Sequence, residues 1–211
     1  SAWSYSPGVR VPGVLLLALL AGCGGSSSPS SAPTPSVSSV EGSTAVPDIT
    51  LPADPLRDLV PRTADLPPGL VAILAGSGPR DAHAIAGYSA DPKSAGTLLT
   101  QHGFRSAYVA QYADLATGRV LSVVVSRFST ASGATADLDA DLKASTGEQI
   151  TTGVIGEKSD VRRQPLPGGK GQLVTVRFRK GATTWLVAYG ANPTADPKVA
   201  IDLATTLAGR G

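Results

Sequence analysis

"GQLVTVRFRKGATTWLVAYG", residues 171–190, reads as two strands folded on a turn. Val174, Val176 and Phe178 fall on one side, and Thr175, Arg177 and Arg179 on the other. That period of two is the mark of a half-buried strand. Lys180-Gly181 is a turn signal, and "TTWLVAYG" returns alongside. Asn192 to Thr194 then opens a final helix that carries Val199, Leu203 and Leu207 at helical spacing.

The same grammar occurs upstream. "FRSAYVAQYAD", 104–114, reads as a strand, Thr117-Gly118 as a turn, and "VLSVVVSRF", 120–128, as a second strand. The middle of that second strand is apolar on both faces, which suits the centre of a sheet. Ser129 or Thr130 caps a helix over 131–144, with Ala134, Leu138 and Leu142 as its apolar stripe. A hairpin followed by a helix therefore appears at 104–144 and again at 172–208. This is a ββα pseudo-repeat, from duplication or from the ordinary economy of such folds. Asp91-Pro92 starts another helix, Asp as cap and Pro at its first position, which runs to about His102 before Gly103. One more strand is expected near 149–158, with the loop "RRQPLPGGKG" after it. At the other end, "LPADPLRDLVPRTADLPPGLVAI", 51–73, suggests a short helix near 55–60, after which Pro67-Pro68 forces an extended path. Hairpins outnumber crossovers. The expected fold is α+β, a mostly antiparallel sheet with helices packed on one face, forming a single domain over 49–211.

Composition sets further bounds. The chain has 211 residues and a net charge of +2, with no block of like charges. That balance does not imply a nucleic-acid surface. Charged residues are 16% of the total, below the roughly 25% of typical globular domains. The single cysteine, Cys23, allows no internal disulfide and no cysteine-based metal cluster. His83 and His102 are the only imidazoles.

Val14 to Ala21 is an unbroken apolar run, too short for the ~20 residues of a membrane-spanning helix. It suits the core of a signal peptide over 1–22, with Arg10 before it. The sequence opens on Ser1 rather than Met, so the true start is expected upstream. Residues 24–47 are rich in Ser and Pro and hold no aromatic residue. Such a tract cannot bury enough apolar surface to offset its ordering entropy, and the segment 23–48, which begins at Cys23, reads as a disordered tether.

Leu20-Ala21-Gly22-Cys23 resembles the lipobox of bacterial lipoproteins. The resemblance implies that the Cys23 thiol receives a diacylglyceryl group and that a signal peptidase cuts before it. It also implies attachment through acyl chains at the outer face of the cytoplasmic membrane. Two acyl chains suffice for stable anchoring. "DLPPGL", 65–70, is similar to a phrase found in lipoproteins of high-GC Gram-positive bacteria, near the start of their extracytoplasmic domains. The resemblance carries no chemistry.

No residue set forms a catalytic motif. Asp137, Asp139, Asp141 and Glu148 echo a calcium loop, but Leu142 stands where the loop needs Gly. The same residues complete an amphipathic helix with a solvated acidic face. No G-x-S-x-G elbow accompanies His83 or His102, and Gly76-Ser77-Gly78 reads as loop. His102 suits a helix C-terminus, where the dipole favours a cation. "PGGKGQ", 167–172, lacks the phosphate-loop pattern and enters a strand. Arg177, Arg179 and Lys180, with Arg162 and Arg163, form either a solvated strand face or a basic strip toward lipid or wall polymer. Trp185, Tyr189, Tyr108 and Tyr112 read as core or sheet aromatics.

The sequence thus predicts a lipid-anchored envelope protein that is not an enzyme, without cofactor or metal, and with a non-catalytic binding, sensing or assembly domain. A single-lobe solute- or lipid-binding lipoprotein is the alternative, and an extracytoplasmic hydrolase ranks last. The expected partners are the membrane, through Cys23, and an envelope protein or wall polymer. The domain is expected to be a monomer.

Overall fold

The two hairpins anticipated from the sequence form the middle of one antiparallel sheet in the computed structural model, which describes residues 50–211 apart from 167 and 169. Its strands are β1 (Val71–Ala72), β2 (Gly78–Arg80), β3 (Phe104–Asp114), β4 (Arg119–Phe128), β5 (Glu148–Gln149), β6 (Lys158–Pro165), β7 (Gln172–Lys180) and β8 (Thr183–Ala191). Across the sheet the order is β1-β3-β4-β8-β7-β6-β5, with β2 also beside β3. The helices among the described residues are α1 (Ala82–Ala86), α2 (Pro92–Gln101), α3 (Ala131–Ala144) and α4 (Pro197–Ala208). This is the expected α+β class with an antiparallel sheet. The expected leader, 1–22, and tether, 23–48, lie outside the described residues, and Cys23 with them.

Helix boundaries follow local chemistry. Asp91 accepts from the Ser94 amide and Thr130 from the Gly133 amide, so both predicted caps are in place. Gly103, at φ 71°, ends the turn after α2. The last helix starts at Pro197 rather than near 192–194, because Asp196 caps it through the Lys198 amide, repeating the Asp-Pro device of α2. The helix expected near 55–60 is a single 3-10 turn, Arg57–Leu59, stopped before Pro61.

One face of the sheet carries the main core. Val174, Val176 and Phe178 meet Leu121, Val123 and Val125 of β4, Trp185 and Val187 of β8, and Leu203 and Leu207 of α4. Phe178 and Trp185 stack with ring centroids 4.9 Å apart and planes 4° off parallel.

Helical cover extends to the other face as well. There Ala134 of α3 packs with Phe128, and with Ala95 and Leu99 of α2. The side chain of Lys158 reaches Asp139, and Arg162 donates to the Ser145 carbonyl at 3.1 Å. The sequence expectation set the helices on one face; α4 takes one and α3 the other. The reason lies in β4, where Val123-Val124-Val125 is apolar toward both sides and needs cover on both. Both ββα units are present. A half-turn about an axis normal to the sheet, between β4 and β8, relates the two hairpins. It cannot also superpose helices that lie on opposite faces.

Two boundaries in the second half differ from expectation. The strand placed near 149–158 is the short β5 followed by irregular chain, and β6 runs through part of "RRQPLPGGKG". Arg162 pairs with Thr175 and Arg163 with Val174 in the β6–β7 ladder. β6 lacks apolar alternation because it is near the sheet edge and buries only Val161 among its hydrophobic residues.

Candidate functional site

The segment before β1 has little regular structure, yet it lies on the main core face beside α4. Its backbone carbonyls take hydrogen bonds from side chains beneath it. Tyr108 Oη donates to Pro52 at 2.8 Å, Tyr112 Oη to Pro61 at 2.8 Å, and Trp185 Nε1 to Leu59 at 3.2 Å. Arg210, beyond α4, donates to the Val60 carbonyl at 3.1 Å and to Asp65 at 2.6 Å. A proline-broken segment has few backbone bonds of its own, so these donors fix its path.

"DLPPGL" acquires a structural role here. Asp65 pairs with Arg210, and the Pro68 carbonyl accepts from Arg119 at 2.6 Å. Gly69 has φ 90°, and a Cβ there would sit 2.6 Å from Asp114 Oδ2. Only glycine combines that conformation with that approach. Leu70 enters the core.

Between this segment and the β1–β3 edge lies a half-open cleft of about 690 Å³. Leu51, Leu66, Leu70 and Tyr112 are among its apolar walls, and Arg57, Asp58 and Arg62 among its charged groups. Thr50 and Leu51, the first described residues, line it too. None of these was singled out from the sequence as a site residue; Tyr112 was read as a core or sheet aromatic. Apart from Tyr112 its lining residues all fall within 50–72, but the bonds that hold this segment in place come from far along the chain, and only the proline spacing hinted that it would not close over the sheet as a helix.

The residues singled out from the sequence are held elsewhere. Asp137 is buried rather than solvated, with His102 Nδ1 3.4 Å from its Oδ1. This carboxylate lies under α3, where α2 ends, so the helix end gives His102 a place and Asp137 gives it a partner. The hydroxyls of the neighbouring loop have structural tasks: Ser129 donates to the Gly103 carbonyl at 2.9 Å, and Thr130 caps α3. Asp139 goes to Lys158, and Glu148 lies 3.9 Å from Arg163. Asp141 acts on Arg177, so the four carboxylates of the calcium-like spacing are drawn to separate places. His83 is in the short α1, and Ser77 donates to the Ile73 carbonyl at 2.6 Å. "PGGKGQ" joins β6 to β7, although Pro167 and Gly169 lie outside the described residues.

The basic strip also resolves differently. Arg179 pairs with Glu157 at 2.6 Å, and Lys180 donates to the Ala208 carbonyl at 3.1 Å. Arg177 is only 5% exposed and lies on the face covered by α3. The clue in the sequence was its place in mid-strand between Val176 and Phe178.

Two carboxylates that brace the cleft segment are held ionised. The Arg119 guanidinium and then the Thr117 hydroxyl bring Asp114 down to about 2. Burial alone would raise Asp65, but hydrogen bonds from the Arg210 side chain and the Arg62 backbone outweigh it and lower it. Unfolded carboxylates titrate near pH ~4, so between that pH and about 2 the unfolded chain binds more protons. The stability these groups contribute is present above the ordinary carboxylate range and is lost as pH falls through it. Urea unfolding from pH 5 to pH 2.5 should show this loss, and Arg119→Gln with Arg210→Gln should flatten the slope. An unchanged slope in that double variant would refute the assignment.

Fold and site together define an α+β domain, built on one antiparallel sheet, whose cleft is bounded by an irregular N-terminal segment. No family model and no curated protein matches the chain. Among solved structures it is similar to the extracellular domain of PknH from Mycobacterium tuberculosis, with a TM-score of 0.43 and 11% identity over 54% of this chain and 68% of that one.

Proposed function

We propose that the chain is a bacterial lipoprotein, anchored through Cys23 at the outer face of the cytoplasmic membrane. Its domain is a non-catalytic binding, sensing or assembly module. The observation that carries the binding role is the cleft of about 690 Å³ beside the first described residues. Its size is that of ordinary small-molecule sites, roughly 300–1,000 Å³. Its position supports presentation of the cleft at the end of the Ser/Pro tract. The same cleft favours the second reading, a single-lobe solute- or lipid-binding lipoprotein.

Anchoring is tested by metabolic labelling with an alkyne fatty acid. The native chain should take the label, and Cys23→Ser should lose it and be processed slowly. Equal labelling of both would overturn the anchor. The binding role is tested with a photo-crosslinking residue at Val71, on the cleft wall, and a control at Leu115, 91% exposed on the turn between β3 and β4. A discrete adduct in membranes is expected from the first position only; matching patterns from both positions would contradict a role for the cleft.

A further inference from the structure

We infer that the cleft binds a single-chain amphiphile with an anionic head, an inference that rests on the binding role proposed above. The apolar tail lies along Leu51, Leu66 and the half-exposed Val71, over the buried Leu70 and Tyr112, and the head sits between Arg57 and Arg62. Tyr112 is 2% exposed and its hydroxyl is committed to the Pro61 carbonyl at 2.8 Å, so it closes the floor of the cleft. Leu70 is a member of the core cluster, and the partly buried Leu51 and Leu66 pack against it, so the wall is backed by packed side chains.

The cations at the cleft are distinct from the others around it. Arg119 and Arg210 each pair with a carboxylate at 2.6 Å. Arg62 enters no ion pair among the described residues. Among the described residues Arg57 has only Asp58, at 3.9 Å, with 39% and 72% of the two side chains exposed. A pair so exposed holds little interaction energy. The other nearby carboxylate, Asp65, is bonded to Arg210 at 2.6 Å and feels the Arg62 charge only through space. Two guanidinium groups are thus available above an apolar wall. Guanidinium is suited to two-pronged hydrogen bonding with carboxylate or phosphate. A neutral lipid would leave these donors unused, and a wholly polar ligand would leave the leucine wall uncovered. The anion can be a fatty carboxylate or the phosphate of a lysophospholipid.

The experiment uses the full 211-residue chain carrying Cys23→Ser, so that no attached lipid competes. Dansyl-undecanoate is the fluorescent probe, displaced in turn by oleate, oleoyl-lysophosphatidylglycerol and methyl oleate. Saturable probe binding is expected. At least one anionic competitor should displace the probe about tenfold more effectively than methyl oleate, which lacks the charge. Displacement by oleate alone identifies a carboxylate ligand, by the lysophospholipid alone a phosphate ligand, and by both the shared anionic chemistry. Arg57→Gln with Arg62→Gln should weaken anionic binding about tenfold or more. Val71→Glu, which adds a repelling charge at a half-exposed wall position, should weaken it with little change in melting temperature. Absence of saturable binding, equal competition by methyl oleate, or unchanged affinity in either variant would overturn the inference. The crosslinking at Val71 reads any partner, so failure here would not be confused with failure of the binding role.

Discussion

Trp185→Ala lowers stability by about 3–5 kcal/mol, the range for removing a large aromatic from a packed core. Trp185 is 2% exposed and lies flat on Phe178, with centroids 4.9 Å apart. Its indole N–H also donates to the Leu59 carbonyl at 3.2 Å. Truncation therefore opens a cavity between β8 and the N-terminal segment and removes one of the bonds that holds that segment. For a domain of this size the loss corresponds to a fall of roughly 6–20 °C in melting temperature. Trp185→Phe separates the two contributions. It keeps most of the stack but not the donor, and should cost less, with the excess loss confined to the segment. Amide exchange over 50–70 should quicken in both variants. A loss below about 1 kcal/mol for Trp185→Ala would mean that the stack is not central to the core.

The legible and illegible parts of this molecule differ in physical kind. β3, β4, β7 and β8 were readable because their pattern is local: alternation or continuous apolar character, with Thr117-Gly118 and Lys180-Gly181 between partners. The Asp91-Pro92 and Thr130 caps were readable for the same reason, since a cap is satisfied within three residues. β6 was not, because its charges are matched inside the strand and by its neighbour: Arg162 to Asp160 at 2.8 Å within β6, and Arg163 toward Glu148 of β5. Helix placement needed a further step, that Val123-Val124-Val125 demands cover on both faces. The cleft depended on contacts over more than fifty residues, such as Tyr112 to Pro61 and Trp185 to Leu59. No short window of sequence contains them. The proposed anchor at Cys23 is the reverse case, since a short linear motif carries it without any fold.

Arg177→Ala is expected to cost about 3–5 kcal/mol, as for removal of one partner from a buried charged set. Arg177 stands on β7, opposite Leu186 of β8 on one side and Asp160 of β6 on the other. Its Nη1 donates to Thr175 Oγ1 at 3.0 Å. Burial pulls the guanidinium below its ordinary value, while Asp141 of α3 and Asp160 pull it back up. The arginine thus supplies positive charge to two carboxylates under the covering helix. Alanine removes both the volume and the charge. Arg177→Met restores most of the volume, so any deficit that remains is electrostatic. That deficit has a definite pH dependence. The attraction lost with the guanidinium acts only on ionised carboxylates. The deficit of the variant relative to the native protein therefore grows as pH rises through the carboxylate range. The methionine variant should lie closest to the native protein near pH 4 and furthest from it near pH 7. Asp141→Leu added to Arg177→Met tests the coupling: at neutral pH the two changes together should cost less than the sum of each alone, since Asp141 is one of the charges that act on Arg177. A deficit for Arg177→Met that is constant from pH 4 to pH 7 would instead assign the whole effect to packing. Arg177 would then be a space-filling residue whose charge the surrounding carboxylates do not require.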